Sequence, residues 1–248
     1  MLGLSALHSK KHLSFSALRK LISERVLTFD DSRQQGKVDY SLHDCCQSAF
    51  AMMFFQDPSI NAFQERLQEK RQLNNLKTLF NVTAIPQSTQ LRTAIDDIPL
   101  NGTKDADNVN YFEYTILKGD KVNYHNSWVT DITISEDNII ELVKGGRARW
   151  KIENEAFNTL KNQGYHLEHN FGHGEKHLAY NLLLFNFLAF CMHQIFELSD
   201  IVYQKCRAKF TSRKEYWNQL RCTIRILIFP SFESLLKFII NPEGGIPP

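Results

Sequence analysis

Between residues 147 and 177 the chain reads RARWKIENEAFNTLKNQGYHLEHNFGHGEKH, and this stretch gathers most of the groups that could do chemistry. Arg149 and Glu153 stand four apart, which on a helix places them on one face. Lys161 follows eight residues after Glu153, roughly 80° further round. Trp150, Phe157 and Leu160 form an apolar stripe with Glu153 at its edge. A carboxylate beside a buried seam must be paired, solvated in a cleft or bound to a cation. Spacing alone favours the plainest of these, an ion pair between Arg149 and Glu153. His166, His169, His173 and His177 then recur at intervals of three, four and four, but Gly164, Gly172 and Gly174 interrupt them and no cysteine is near. Structural zinc sites bring together four ligands, usually including thiolates. The favoured reading is therefore a polar loop whose histidines cap helices and bond backbone. Its glycine-flanked amides could also face a phosphate. A histidine-ligated metalloenzyme is the competing reading.

The elements that must position these groups are mostly helical. Ser14 or Ser16 can cap a first helix carrying Leu18, Leu21 and Ile22, and Ser41 can cap LHDCCQSAFAMMFF, which is too apolar for a surface helix. Pro58 and Ser59 start a helix that the apolar spacing carries from Ile60 to Leu79, and Ser88 caps a shorter one ending near Ile98. PLNGTKDADN is a linker without hydrophobic period. From Tyr111 to Ile134 the residues alternate in strand fashion about a Gly119–Asp120 turn, which predicts a hairpin. Ser135 and Asn138 open a helix that Gly145–Gly146 should end, and the 147–163 helix follows. Past the histidine loop come an apolar helix from about 175 and two further helical stretches at 212–228 and 231–240. The fold class is α+β, mostly α. Residues 1–98 form a helical N-terminal domain, 99–110 a linker, and 111–248 a second domain with the C-terminal helices.

Composition narrows the function classes. A net charge of +2 excludes a polycation gripping nucleic acid by bulk charge, although Lys and Arg cluster at 10–25, 144–151 and 205–225. Five cysteines, at 45, 46, 191, 206 and 222, show no CxxC pair, and the opening residues read as no secretory signal. Reduced thiols in a cytoplasmic protein follow. LAYNLLLFNFLAFCMHQIFEL (178–198) has the length of a membrane span, but Asn181, Asn186, His193 and Gln194 fit the central helix of a packed core better, so no membrane is expected.

The block RWKIENEAFNTLKNQGYHLEHNFGHG resembles the region of the last acidic residue in bacterial insertion-sequence transposases of the DDE type, whose catalytic domain is ribonuclease-H-like. There a Glu on a helix is followed by a Lys and preceded by a Tyr and an Arg, commonly as R-W-x-I-E with F and L-K after it. Here Arg149, Trp150, Ile152, Glu153, Phe157, Leu160 and Lys161 match. SWVTDITISEDNIIELV is similar to the family's final strand and its approach to that helix, and YSLHDCCQSAFAMMFFQDPSINAFQ with IPQSTQLRTAID is similar to its amino-terminal domain. The resemblance covers most of the chain. It departs at two points: Gly146 stands at the Tyr position, and the Glu–Lys spacing is one residue longer.

The resemblance implies DNA transposition by metal-dependent cleavage and strand transfer at element ends, with Glu153 as catalytic residue and Mg²⁺ ligand. Arg149 and Lys161 would hold phosphates, joined in DNA binding by Arg147 and His173. Two-metal chemistry needs two further carboxylates on strands. Where the family carries them on strands, Asp97, Asp105 and Asp107 stand in a linker without strands, and Asp131 on the hairpin matches the position just before the Glu helix, so the chain reads as a relative shortened by an internal deletion, with the hairpin a remnant of the lost sheet. It implies a bacterial, nucleoid-associated DNA-binding protein impaired in catalysis. Homo-oligomers, or pairing with an intact transposase, are the implied assemblies. The alternative is a non-catalytic helical regulator that pairs with such an enzyme.

Overall fold

A computed structural model describes residues 11–33, 36, 38–67, 74–99 and 109–244, apart from the side chain of Glu153. The described residues include eleven α-helices, two short 3-10 helices, one π-helical turn and one two-stranded antiparallel hairpin. The chain divides by packing rather than by order. Residues 1–100 and 159–248 form one compact unit, and residues 101–158 form another. The boundaries drawn from sequence separate the front helices from the C-terminal ones; the structure joins them in one core.

Helix α2 (Leu42–Phe54) is the centre of the first unit, and every residue of it except His43 is buried. Ser41 caps it by accepting the Asp44 amide. Around it pack α1 (Phe15–Val26), capped by Ser14, α4 (Asn75–Phe80), α5 (Ser88–Asp96) and α8 (Leu178–Ser199). The Phe54 ring meets Phe15, Phe50, Phe80, Phe232 and His193, so residues nearly 220 positions apart in sequence share one aromatic cluster. Helix α9 (Ile201–Arg207) and α11 (Phe232–Ile240) close the other side, and α10 (Arg213–Ile226) supplies Tyr216, Trp217 and Leu220 to the core.

Buried polar groups tie distant parts of the first unit together. The Asn75 amide donates to the Ile224 and Leu227 carbonyls at 2.9 and 2.8 Å, and its oxygen accepts the Phe229 amide at 2.9 Å. Arg221 donates to the carbonyls of Phe55 and Gln56. Asp44 accepts from the Thr83 amide and hydroxyl and the Ala84 amide. Each satisfies groups that burial would otherwise leave without water.

Several local expectations change. The helix read from Ile60 to Leu79 is two: α3 (Ile60–Leu67), capped by Ser59, and α4, which Asn74 begins by accepting the Leu76 amide. Ser88 is the first residue of α5 rather than its cap; Gln87 holds the cap position. Among the described residues α8 alone is long and apolar enough to cross a membrane. It packs against α2 and α5, with Asn181 and His193 wholly buried.

In the second unit β1 (Asn110–Lys118) pairs with β2 (Lys121–Thr130) about Gly119–Asp120, where Gly119 takes φ +62°. The register sets Phe112 opposite Trp128 and Tyr114 opposite Asn126, and a bulge leaves Asn123 of β2 unopposed. Helix α6 (Ile139–Ala148) follows, running through Gly145–Gly146 instead of stopping there. Among the described side chains of this unit, Phe112 alone is buried.

Candidate functional site

The segment expected to be one helix over 147–163 is three pieces. Arg147 lies in the last turn of α6, and the chain then tightens: the Arg149 amide donates to Gly146 and the Ile152 amide to Arg149, both one residue short of α spacing. A π-helical turn follows over Ile152–Phe157, and α7 (Asn158–Asn162) completes the run. Bonds of the i→i+5 kind widen a turn, so the four-residue spacing of Arg149 and Glu153 no longer fixes a shared face. The apolar stripe is broken for the same reason: Leu160 is buried while Trp150 and Phe157 are exposed.

Glu153 is the second residue of the π-helical turn, and its side chain is outside the described set. Arg147 and Arg149 belong to the same unit as Glu153, whereas Lys161 and His173 belong to the other. Arg147 lies with its guanidinium 5.2 Å from the centre of the Tyr124 ring, a cation–π contact. Lys161 pairs with Glu168 at 2.8 Å, with both side chains largely in solvent. Exposed pairs of this kind are weak, about 0–1 kcal/mol, so Lys161 is easily released to another anion.

Gly146, at the position where the resemblance calls for Tyr, has a specific neighbour. A Cβ there would lie 2.6 Å from two atoms of the Trp128 indole. The ring of β2 therefore rests directly on the α6 backbone, which only glycine allows. Beside it a groove of about 540 Å³ is lined by Phe112, Trp128, Ile132, Leu142, Arg149 and Ile152 among others.

The histidines do not converge. His169 packs edge-on against Phe171, His173 Nε2 bonds Asn170 Nδ2 at 2.9 Å, and His177 directly precedes α8. His166 is half-buried with φ +51°, and burial lowers its pKa. The loop amides, read as possible phosphate ligands, already have an anion. Asp96, the last residue of α5, accepts from the amides of Glu175, Lys176, His177 and Leu178 at 2.7–3.3 Å. Burial acts to raise the Asp96 pKa, but these four donors together hold it below the ordinary carboxylate value. Gly174, at φ +66°, is required here, because a Cβ would stand 2.3 Å from Asp96 Oδ1. Sequence reading missed Asp96 since its partners lie some 80 residues away.

Among the described residues no three-carboxylate Mg²⁺ site is assembled. Asp96 is engaged by amides, Asp97 pairs with Lys176, and Asp131 lies one residue beyond β2 rather than on a strand. Asp105 and Asp107, like most of the 99–110 linker, lie outside the described residues. Among the described residues no three His, Cys, Asp or Glu side chains gather as a metal site requires. Comparison with protein-family models, with curated proteins and with solved structures finds no match for this chain.

Proposed function

We propose that this chain is an internally shortened relative of DDE transposases that binds DNA without cleaving or joining it. The observation that carries the reading is the second unit: a hairpin and a helix among whose described side chains Phe112 alone is buried. A two-stranded hairpin has no independent stability, so strands and helix of this kind ordinarily belong to a larger sheet. Removal of the central strands of a ribonuclease-H-like sheet would leave this remainder, followed in sequence by the R-W-x-I-E…F…L-K run. A π-helical turn at Glu153 adds support, since such turns recur at functional positions.

In this reading the missing aspartates went with the missing strands, and Mg²⁺-dependent strand transfer went with them. DNA binding rests on Arg147 and Arg149 in one unit and Lys161 and His173 in the other. A guanidinium fork suits phosphate bidentately, and an ammonium acts as a point charge.

The test is fluorescence anisotropy of a labelled mixed-sequence duplex titrated with the full chain across salt concentrations, followed by incubation of the duplex with protein and Mg²⁺. Binding is expected, with log K falling by about 0.9 per phosphate contact for each log unit of salt. Arg147→Ala with Arg149→Ala should flatten that slope by roughly two contacts, and no strand should be cut. Absence of binding at low salt removes the DNA reading; Mg²⁺-dependent cleavage removes the shortened-core reading.

A further inference from the structure

Among the described residues no third strand pairs with the hairpin, and its two edges differ. The β2 edge carries the bulge at Asn123 and begins at Lys121. Bulges, prolines and charges are the devices by which edge strands avoid pairing with other chains. The β1 edge runs nine residues, NYFEYTILK, with no bulge on its own strand and no proline. Its one internal charge, Glu113, is engaged on its own strand by the Tyr111 hydroxyl at 2.5 Å.

We propose that β1 pairs with β1 of a second copy, antiparallel about a two-fold axis at Tyr114, to give a four-stranded sheet in the order β2–β1–β1–β2. The sequence of β1 is complementary to itself in that register. Tyr111 falls opposite Leu117 of the other copy, Phe112 opposite Ile116, Glu113 opposite Thr115, and Tyr114 opposite its own counterpart. Lys118 meets Asn110, so no charge faces its like. Any other axis on β1 shortens the paired run or moves the aromatic and aliphatic side chains out of register with one another.

The pairing covers apolar surface that is now in water: Tyr111 and Leu117, which come opposite one another across the two copies, are 59% and 61% exposed. A closed two-fold contact uses this surface once on each copy and ends there. The sheet passes from two strands to four, above the three at which a sheet with one apolar face stands by itself. The pairing is independent of DNA, since it needs none of the basic residues.

Sedimentation of the untagged full chain over a wide concentration range tests the association, and cysteine pairing tests the register. In a Cys191→Ser, Cys222→Ser background, which removes the two exposed thiols, Tyr114→Cys is expected to form an intermolecular disulfide under mild oxidation. Asn126→Cys, its neighbour across the hairpin, should not. Thr115→Pro removes an edge amide and should shift the dimer to monomer. A wild-type chain that stays monomeric throughout overturns the proposal. A dimer that cross-links through Asn126→Cys, or that survives Thr115→Pro without the Tyr114→Cys disulfide, overturns the β1 pairing.

Discussion

His193 is wholly buried between the Phe54 and Trp217 rings, with ring centres 4.6 and 4.3 Å away. Its Nδ1 bonds the Tyr165 hydroxyl at 2.8 Å. Burial, with the charge of Arg213 adding to it, pushes its pKa well below 6.5. The folded state therefore holds the ring neutral while the unfolded chain takes up a proton below about pH 6.5. Stability on this account is complete above that pH and declines as pH falls toward the folded value, by up to about 1.4 kcal/mol per pH unit. Replacing both partners at once, His193→Phe with Tyr165→Phe, leaves neither polar group orphaned. Denaturant melts of that double variant should show an acid slope smaller by one proton; an unchanged slope would mean the ring titrates freely. Nothing near His193 in sequence announces this, since a histidine inside an apolar helix reads equally well as exposed or buried.

At the scale of elements, Asp96 is the joint between α5 and α8. Its carboxylate serves the amides of Glu175, Lys176, His177 and Leu178, which lead into the first turn of α8, while Asn181 of α8 returns the contact to the Ile95 and Ile98 carbonyls at the end of α5. Loss of a helix cap costs about 0.5–2 kcal/mol, and a charged group on four donors belongs at the upper end. Asp96→Ala should lower the thermal midpoint by several degrees, whereas Asp97→Ala, which removes only an exposed pair with Lys176, should leave it almost unchanged. The depressed Asp96 pKa gives the sign of its pH dependence: the contribution is present above the ordinary carboxylate value and is lost as pH falls through the lowered one. Elements of this kind were legible in sequence where their cause was local. Ser14, Ser41 and Ser59 cap as their positions predict, and Gly119–Asp120 turns the hairpin. The break at Asn74, the short helix α9 and the π-helical turn were not legible, because apolar spacing runs on through the first and third and tertiary contacts decide all three.

Across the whole molecule, the first unit is assembled from both ends of the chain, through pairings such as Asn75 with Ile224 that leave no local trace in sequence. Limited proteolysis should therefore cut first within 101–158, where one described side chain is buried, and the two flanking fragments should remain associated on gel filtration. Fragments that separate under native conditions would show that the core depends on chain continuity through the second unit. The same arrangement has a bearing on how such a sequence could arise. To the core, everything between residues 100 and 159 is a loop whose ends must meet, and the entropy of closing a loop changes by only about 0.6 kcal/mol for each doubling of its length. A large block can be gained or lost there while the surrounding helices barely register it. The segment that would carry chemistry is thus thermodynamically insulated from the scaffold that holds it, and a gene that loses the first can go on producing the second.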